Sequence, residues 1–265
     1  MFPYITVIGR TIGMYQIAIL AGIFSMGIYV CRLCKTNGYD DNDGIEFLLV
    51  TSVGVFAGGR ILYSIVNFHT LIYVIKNIYK ITSLQNFFTA VYLLWGGNVF
   101  YGGLLGGITA AAILLRKKPQ YRYLFDFVTP AIPLFHFFGR IGCFLAGCCF
   151  GIESSFGVTF HYSVVDGANG ISRFPVQLLE AAVNLLLFFI LDFLRRKNVF
   201  KQNLIYLYLL FYSVARFFIE FLRGDVNRGF FLFISTSQIV SILIFCFVVP
   251  KIYILYSHKN ILHQS

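Results

Sequence analysis

Arg60 lies in GVFAGGRILYSI, Arg140 in FHFFGRIGCFLAG and Arg216 in YSVARFFIEFLRGD. A guanidinium inside an apolar run is costly, so it faces the protein interior and marks a functional site. Its planar fork of donors matches a phosphate or carboxylate bidentately. The chemistry these residues support is therefore anion binding. Arg216, Glu220 and Arg223 fall at i, i+4 and i+7, on one helical face. Arg60, Arg140, Arg216 and Arg223 outnumber the nearby acids Glu180 and Glu220, which predicts a cationic cavity. A plainer alternative makes Arg216–Glu220 a structural bridge and lets Arg223 snorkel outward. For Arg223 alone the plainer reading is preferred; for the deeper Arg140 and Arg216 the anion reading is kept. His136 precedes Arg140 by one turn on the same face. It reads either as a hydrogen-bonded structural residue or as a proton acceptor whose charged form the arginines disfavour.

The elements that must position these groups are membrane helices. The chain of 265 residues is 58% hydrophobic and only 12% charged, with a mean hydropathy of +0.77. A soluble domain carries roughly 25% charged residues. Continuous apolar runs long enough for a bilayer recur along the sequence, which excludes the alternating strands of a membrane barrel. The expected fold is an all-α polytopic membrane protein forming a single integral domain over 1–265. About seven spans are read at 11–32, 46–66, 99–116, 124–148, 176–195, 203–222 and 235–256. The run after Arg10 exceeds a signal-peptide core and no A-x-A site follows, so it counts as the first span.

The net charge of +10 carries topology and calls for no nucleic acid. Arg32 and Lys35, the group Arg116, Lys117, Lys118 and Arg122, the group Arg195, Arg196, Lys197 and Lys201, and Lys251 with Lys259 share one side of a seven-span chain. That side is expected to be cytoplasmic, with the N-terminus outside. Lys76 and Lys80 in the outer loop 67–98 go against the rule; NFFTAVYLLW in that loop reads as an interfacial amphipathic helix. With this topology, five spans bring Arg60, Trp95 to Gly103, His136 with Arg140, Gln177 with Glu180, and Arg216 with Glu220 to the outer leaflet. The anion that lives there is a phospholipid headgroup. Paired glycines at 58–59, 96–97, 102–103 and 106–107 read first as sites of close helix packing.

Other candidate motifs carry less. Cys31 and Cys34 have CxxC spacing, but with no second pair on their side they read as fortuitous. Cys246 reads as packing. TNGYDDNDG places Tyr39 where a calcium loop needs its first acid, so it reads as a solvated turn. Cys143, Cys148 and Cys149 form a disulfide or fill small sites; no metal is expected. Leu145 to Cys148 mimics a lipidation box without a signal peptide before it, a coincidence.

Six blocks in order resemble the prolipoprotein diacylglyceryl transferase family. They are GGRILY at 58–63, WGGNVFYGGLLGG at 95–107, GRIGCFLAGCCFG at 139–151, RFPVQLLEA at 173–181, RFFIEFLRGD at 216–225 and ISTSQIVS at 234–241. The resemblance implies a seven-span enzyme opening to the outer leaflet of the bacterial cytoplasmic membrane. Such an enzyme moves diacylglycerol from phosphatidylglycerol onto the lipobox cysteine of a prolipoprotein signal peptide. It further implies that Arg140 and Arg216 are essential, and that Glu220 matches a family glutamate. Arg60, Gly102, Gly103, Gly142, Cys143 and Arg223 fall among the substrate-binding positions. The chain departs from the pattern at Tyr101, where the family has a histidine proposed as base, and at Cys143, Ala146 and Cys148, where it has two asparagines and a glutamate.

The expected chemistry is displacement at the glycerol carbon that bears the phosphate. Arg140 and Arg216 clamp the leaving phosphate, and Tyr101 or His136 takes the thiol proton. No cofactor is expected. Three rival readings stand beside it: a quinone-linked membrane thiol oxidoreductase, motivated by the three cysteines; a lipid-binding protein without catalysis; and a paralogue that serves another acceptor.

Overall fold

The computed structural model describes residues 3–95, 99–225, 230–231 and 234–264. Strands β1 (Tyr4–Val7) and β2 (Arg10–Gly13) form an antiparallel hairpin. Ile8 and Gly9 at its tip both have positive φ, the backbone of the hairpin turn that matches strand twist. Helices follow: α1 (Met14–Thr36), α2 (Asp41–Val66), α3 (Phe68–Lys76), α4 (Leu84–Trp95), α5 (Phe100–Lys117) and α6 (Leu124–Ala146). A loop carries β3 (Glu153–Thr159) and β4 (Ser172–Arg173). Then come α7 (Val176–Arg196), α8 (Leu204–Ile219), the small strands β5 (Phe230–Phe231) and β6 (Ile234–Ser235), and α9 (Thr236–Gln264).

The protein is an all-α polytopic membrane protein. Among the described residues, six helical segments are long and apolar enough to cross a bilayer: 14–36, 41–66, 119–146, 176–196, 204–222 and 236–257. The span expected at 99–116 falls on the 18-residue α5, which is not among those six. The outer loop expected at 67–98 folds as α3, a 3-10 turn and α4, with Phe87, Phe88, Tyr92 and Trp95 exposed.

The polar turn before α2 is a helix start. The Asp40 side chain accepts a hydrogen bond from Asn42 N at 2.9 Å, and Asp41 and Asp43 put negative charge on the first turn, where the helix dipole favours it. Asp43 also accepts from Tyr121 and Tyr123, each at 3.0 Å. Ser235 and Gln238 cap α9 reciprocally. Ser235 Oγ accepts from Gln238 N at 3.2 Å, and Gln238 Oε1 accepts from Ser235 N at 3.0 Å, a capping box.

The chain divides into two compact units, 34–124 and 1–33 with 125–265. In the first, α2 and α5 pack backbone to backbone. A Cβ at Gly58 would overlap the carbonyl of Gly102, one at Gly102 would overlap that of Gly58, and one at Gly106 would overlap that of Gly54. In hydrocarbon, close backbone approach supplies the van der Waals contact that holds helices together.

In the second unit, Leu191, Leu204, Leu207 and Tyr208 bury a seam between α7 and α8. Asp192 lies at one end of α7. It accepts from Tyr29 Oη at 2.6 Å and pairs with Arg195 and Arg196 at 2.8 and 2.7 Å. The chain after α6 is tied to the segments flanking it in space. Gly151 bridges Arg223, Ile152 N donates to Leu222 O at 3.0 Å, and Gly224 N donates to Phe150 O at 2.9 Å. A side chain at Gly151 would run into the Phe174 carbonyl, so only glycine lets these three segments meet.

Candidate active site

The second unit brings Arg140 from α6, Glu180 from α7, and Arg216 and Glu220 from α8 and the 3-10 turn after it into one cluster. Glu180 is the hub. Its Oε1 lies 2.9 Å from Arg140 Nη2 and 3.7 Å from Arg216 Nη1. Glu220 Oε2 sits 2.7 Å from Arg216 Nη2, the i, i+4 pairing that the spacing allowed. Ser237, in the first turn of α9, accepts a further bond from Arg216 Nη2 at 3.1 Å. Glu180, Arg216 and Glu220 are all buried; the Arg140 side chain keeps 22% exposure.

This geometry corrects the expected cationic excess. Two guanidiniums face two carboxylates, so the cluster is balanced. What remains for a ligand is donor capacity. Arg216 Nη1 makes no hydrogen bond among the described residues. Arg140 Nη1 lies 4.0 Å from the Cys143 sulfur, a weak acceptor, and the Tyr212 hydroxyl is a further neighbour of this guanidinium. Arg140 thus spends Nη2 on Glu180 and keeps its Nη1 edge for an incoming anion, whereas Arg216 faces Glu180 with Nη1 and Glu220 with Nη2, and its buried Nη1 makes only the looser of the two contacts. Desolvated, prearranged donors of this kind stabilise charge that develops during reaction.

Arg223 does not snorkel. It holds Asp225 through Nε at 2.9 Å and Nη2 at 2.6 Å, a bidentate pair. His136 Nδ1 lies 3.3 Å from Tyr208 Oη, and its ring centroid is 5.7 Å from that of Tyr212. The hydrogen bond expected of a structural histidine is present. Gly142 is a packing position, since a Cβ there would stand 3.0 Å from Ala18 Cβ and 3.1 Å from the Tyr15 ring.

Cys143, Cys148 and Cys149 gather beside Arg140, their sulfurs all within 4.8 Å of one another. No disulfide joins them. Hydrogen bonds from the Cys143 and Cys148 thiols, together with the charges of Arg223 and Arg140, hold the Cys149 thiol below the ordinary cysteine range.

The remaining predicted residues belong to the other unit. Arg60, on α2, stacks its guanidinium 4.9 Å from the Phe56 ring centroid, and its Nε is buried without a hydrogen-bond partner among the described residues. Gly102 and Gly103 pack α5 against α2, with Val55 O at 3.2 Å from a Cβ built on Gly103. The backbone of Tyr101 lies in α5; its side chain, like Gly96, Gly97 and Asn98, falls outside the described residues.

Sequence reasoning passed over Arg173, which organises the loop beside the cluster. Its guanidinium lies 4.3 Å from the Phe150 ring centroid and donates to Gly167 O at 2.8 Å and Gly151 O at 3.4 Å. Gln177 donates to Cys148 O at 2.8 Å. Both lie in the RFPVQLLEA block, so the block itself was the signal. Glu180 was placed at the right helix end, but its role as the shared counter-ion needed the packing of α6, α7 and α8.

The sequence pattern of the prolipoprotein diacylglyceryl transferase family matches residues 3–254. A phosphatidylglycerol–prolipoprotein diacylglyceryl transferase of Clostridium tetani (strain Massachusetts / E88) is 34% identical over 231 residues, covering 86% of this chain and 87% of the relative. A protein named phosphatidylglycerol–prolipoprotein diacylglyceryl transferase 2, from Clostridium perfringens (strain 13 / Type A), is 32% identical over 241 residues, 90% of this chain and 89% of its own. A relative from Rickettsia bellii (strain OSU 85-389) is 37% identical over 205 residues, 74% of this chain and 72% of its own. With membrane-length helices and near full-length similarity, the chain belongs to the prolipoprotein diacylglyceryl transferase family.

Proposed function

We propose that this chain transfers the diacylglyceryl group of phosphatidylglycerol to the lipobox cysteine thiol of a prolipoprotein and releases glycerol phosphate. The convergence of Arg140 and Arg216 on Glu180, within a bundle of membrane-length helices, carries this reading. The anion a bilayer offers is a lipid phosphate, and the guanidinium fork is the side chain whose geometry fits it.

The acceptor sulfur attacks the glycerol carbon that bears the phosphate. The S–C bond forms, the C–O bond breaks, and its electron pair leaves on the phosphate. The guanidiniums of Arg140 and Arg216, Arg140 through its Nη1 edge, stabilise that charge as it grows. Glu180 and Glu220 keep the two forks in place, and Arg223, held by Asp225, supports the loop beside them. Arg60 is assigned a part in holding lipid. Tyr101 or His136 receives the thiol proton. Gly102, Gly103 and Gly142 are assigned to substrate binding, each by letting its own helix pack closely. The enzyme is a single multi-pass domain in the bacterial cytoplasmic membrane. Its N-terminus lies outside, the cluster opens to the outer leaflet, and the segment 67–98 lies in the interface.

The test is reconstitution of the full chain in phosphatidylglycerol vesicles with a lipobox peptide. One diacylglyceryl mass added per glycerol phosphate released is the expected result. Phosphatidylglycerol binding without either product would overturn the assignment in favour of a lipid-binding protein.

A further inference from the structure

The three-cysteine cluster has no part in the phosphate clamp, yet its construction is specific. Cys143 sits in the penultimate turn of α6, and Cys148 and Cys149 lie just beyond the helix end. Gly147 and Cys149 both take the left-handed backbone, with φ of +78° and +54°. A non-glycine residue there is strained and persists only where its surroundings hold it. The surroundings do hold it. Ser163 Oγ donates to Gly147 O at 3.0 Å, and Gln177 donates to Cys148 O at 2.8 Å. Val164 N donates to Ala146 O at 3.0 Å, and Gly224 N to Phe150 O at 2.9 Å. This scaffold folds the chain back so that all three sulfurs fall within 4.8 Å of one another.

That spacing suits a metal. With zinc–sulfur bonds of about 2.3 Å, sulfurs at three corners of a tetrahedron lie about 3.8 Å apart. Soft thiolates select thiophilic d10 ions. The cluster offers three protein donors and no fourth among the described residues. Three thiolates around a divalent ion carry one net negative charge, and the Arg140 guanidinium, 4.0 Å from the Cys143 sulfur, lies ready to offset it. Three protein ligands with one open position is the pattern of a reactive zinc site; closed structural sites use four.

We infer that Cys143, Cys148 and Cys149 form a site for a thiophilic d10 cation, Zn2+ foremost, whose fourth position takes the acceptor thiol. The second half rests on the transfer reaction proposed above. A thiol bound to such an ion gives up its proton readily, to the acceptor side chain assigned above or to water. Its sulfur then stands as a thiolate beside the arginine that receives the departing phosphate. The S–C bond forms as the C–O bond breaks, and the ion is unchanged at the end. The arrangement supplies the nucleophile with little demand on a side-chain base.

The experiment is a Co2+ titration of the reduced full-length protein in detergent, read by thiolate-to-cobalt charge-transfer absorption. The expected result is saturation at about one ion per chain, displacement by Zn2+, and a stronger band when a lipobox peptide is added but not its cysteine-to-serine counterpart. Cys148→Ser/Cys149→Ser should lose the stoichiometric equivalent; the wild-type titration decides even if that variant fails to fold. Absence of metal binding in a reduced wild type that still transfers lipid would overturn the site and leave the enzyme assignment standing. Binding that ignores the peptide thiol would overturn the fourth-ligand claim. Binding that responds to the peptide in a protein that transfers no lipid would uphold the site and remove the enzyme assignment.

Discussion

Replacing Arg140 by lysine keeps the charge and removes the fork. In the structure Arg140 Nη2 is 2.9 Å from Glu180 Oε1, while Nη1 lies 4.0 Å from the Cys143 sulfur, a weak acceptor. One edge anchors and the other is left to act. A lysine ammonium is a single point with three donors. Buried beside Glu180, it is drawn to the carboxylate and has no second edge to present to phosphate. Loss of one prearranged donor to developing charge costs about 2.7–4 kcal/mol, or 10²–10³ in kcat. The ion pair with Glu180 survives in the lysine variant, so the fold should change little. The assay is mass spectrometry of a lipobox peptide in phosphatidylglycerol vesicles, with kcat and KM resolved and the thermal midpoint recorded in parallel. The expected outcome is kcat down by about two to three orders of magnitude with an essentially unmoved midpoint. Full kcat in Arg140→Lys would show that the fork is not used in the rate-limiting step, and the clamp reasoning would fail.

Glu180→Gln removes the counter-ion of both arginines at once and leaves a buried positive charge uncompensated. Destabilisation of about 3–5 kcal/mol is expected, read as a lowered thermal midpoint in detergent; an unchanged midpoint would contradict the hub assignment. His136→Gln should retain transfer within about tenfold, because its visible work is the bond to Tyr208; a drop of about 10²–10⁴ would instead identify it as the proton acceptor. Gly58→Val, which drives a side chain into the Gly102 carbonyl, should separate α2 from α5 and open unit 34–124 to proteolysis, whereas Ser64→Ala nearby should not.

The membrane helices were legible because hydrocarbon leaves the backbone few options. Unbroken apolar runs of bilayer length must be helices, and the spans read at 11–32, 46–66 and 176–195 coincide closely with α1, α2 and α7. Arg140 and Arg216 were legible for a related reason: charge in such runs has to be placed on purpose. Their partner was not. Glu180 stands 40 positions from Arg140 and 36 from Arg216, and nothing local in VQLLEAA distinguishes a hub from a simple ion pair. Counting arginines against acids therefore suggested a cationic cavity, whereas packing produced a balanced one. Asp225 likewise escaped the count, because a bidentate pair two residues apart depends on the bend of the chain after α8. ISTSQIVS looked like a small-residue block; its capping box and the Ser237 contact to Arg216 emerge only once α9 starts beside α8.

The interleaved glycines of α2 and α5 carry one more consequence. Where carbonyl meets glycine at Gly54, Gly58, Gly102 and Gly106, there is no side-chain layer to compress or slide over. The two helices are effectively one girder. Arg60 on α2 and the residues that open α5 therefore cannot be repositioned separately, and any rearrangement that admits a bulky lipid must carry both at once.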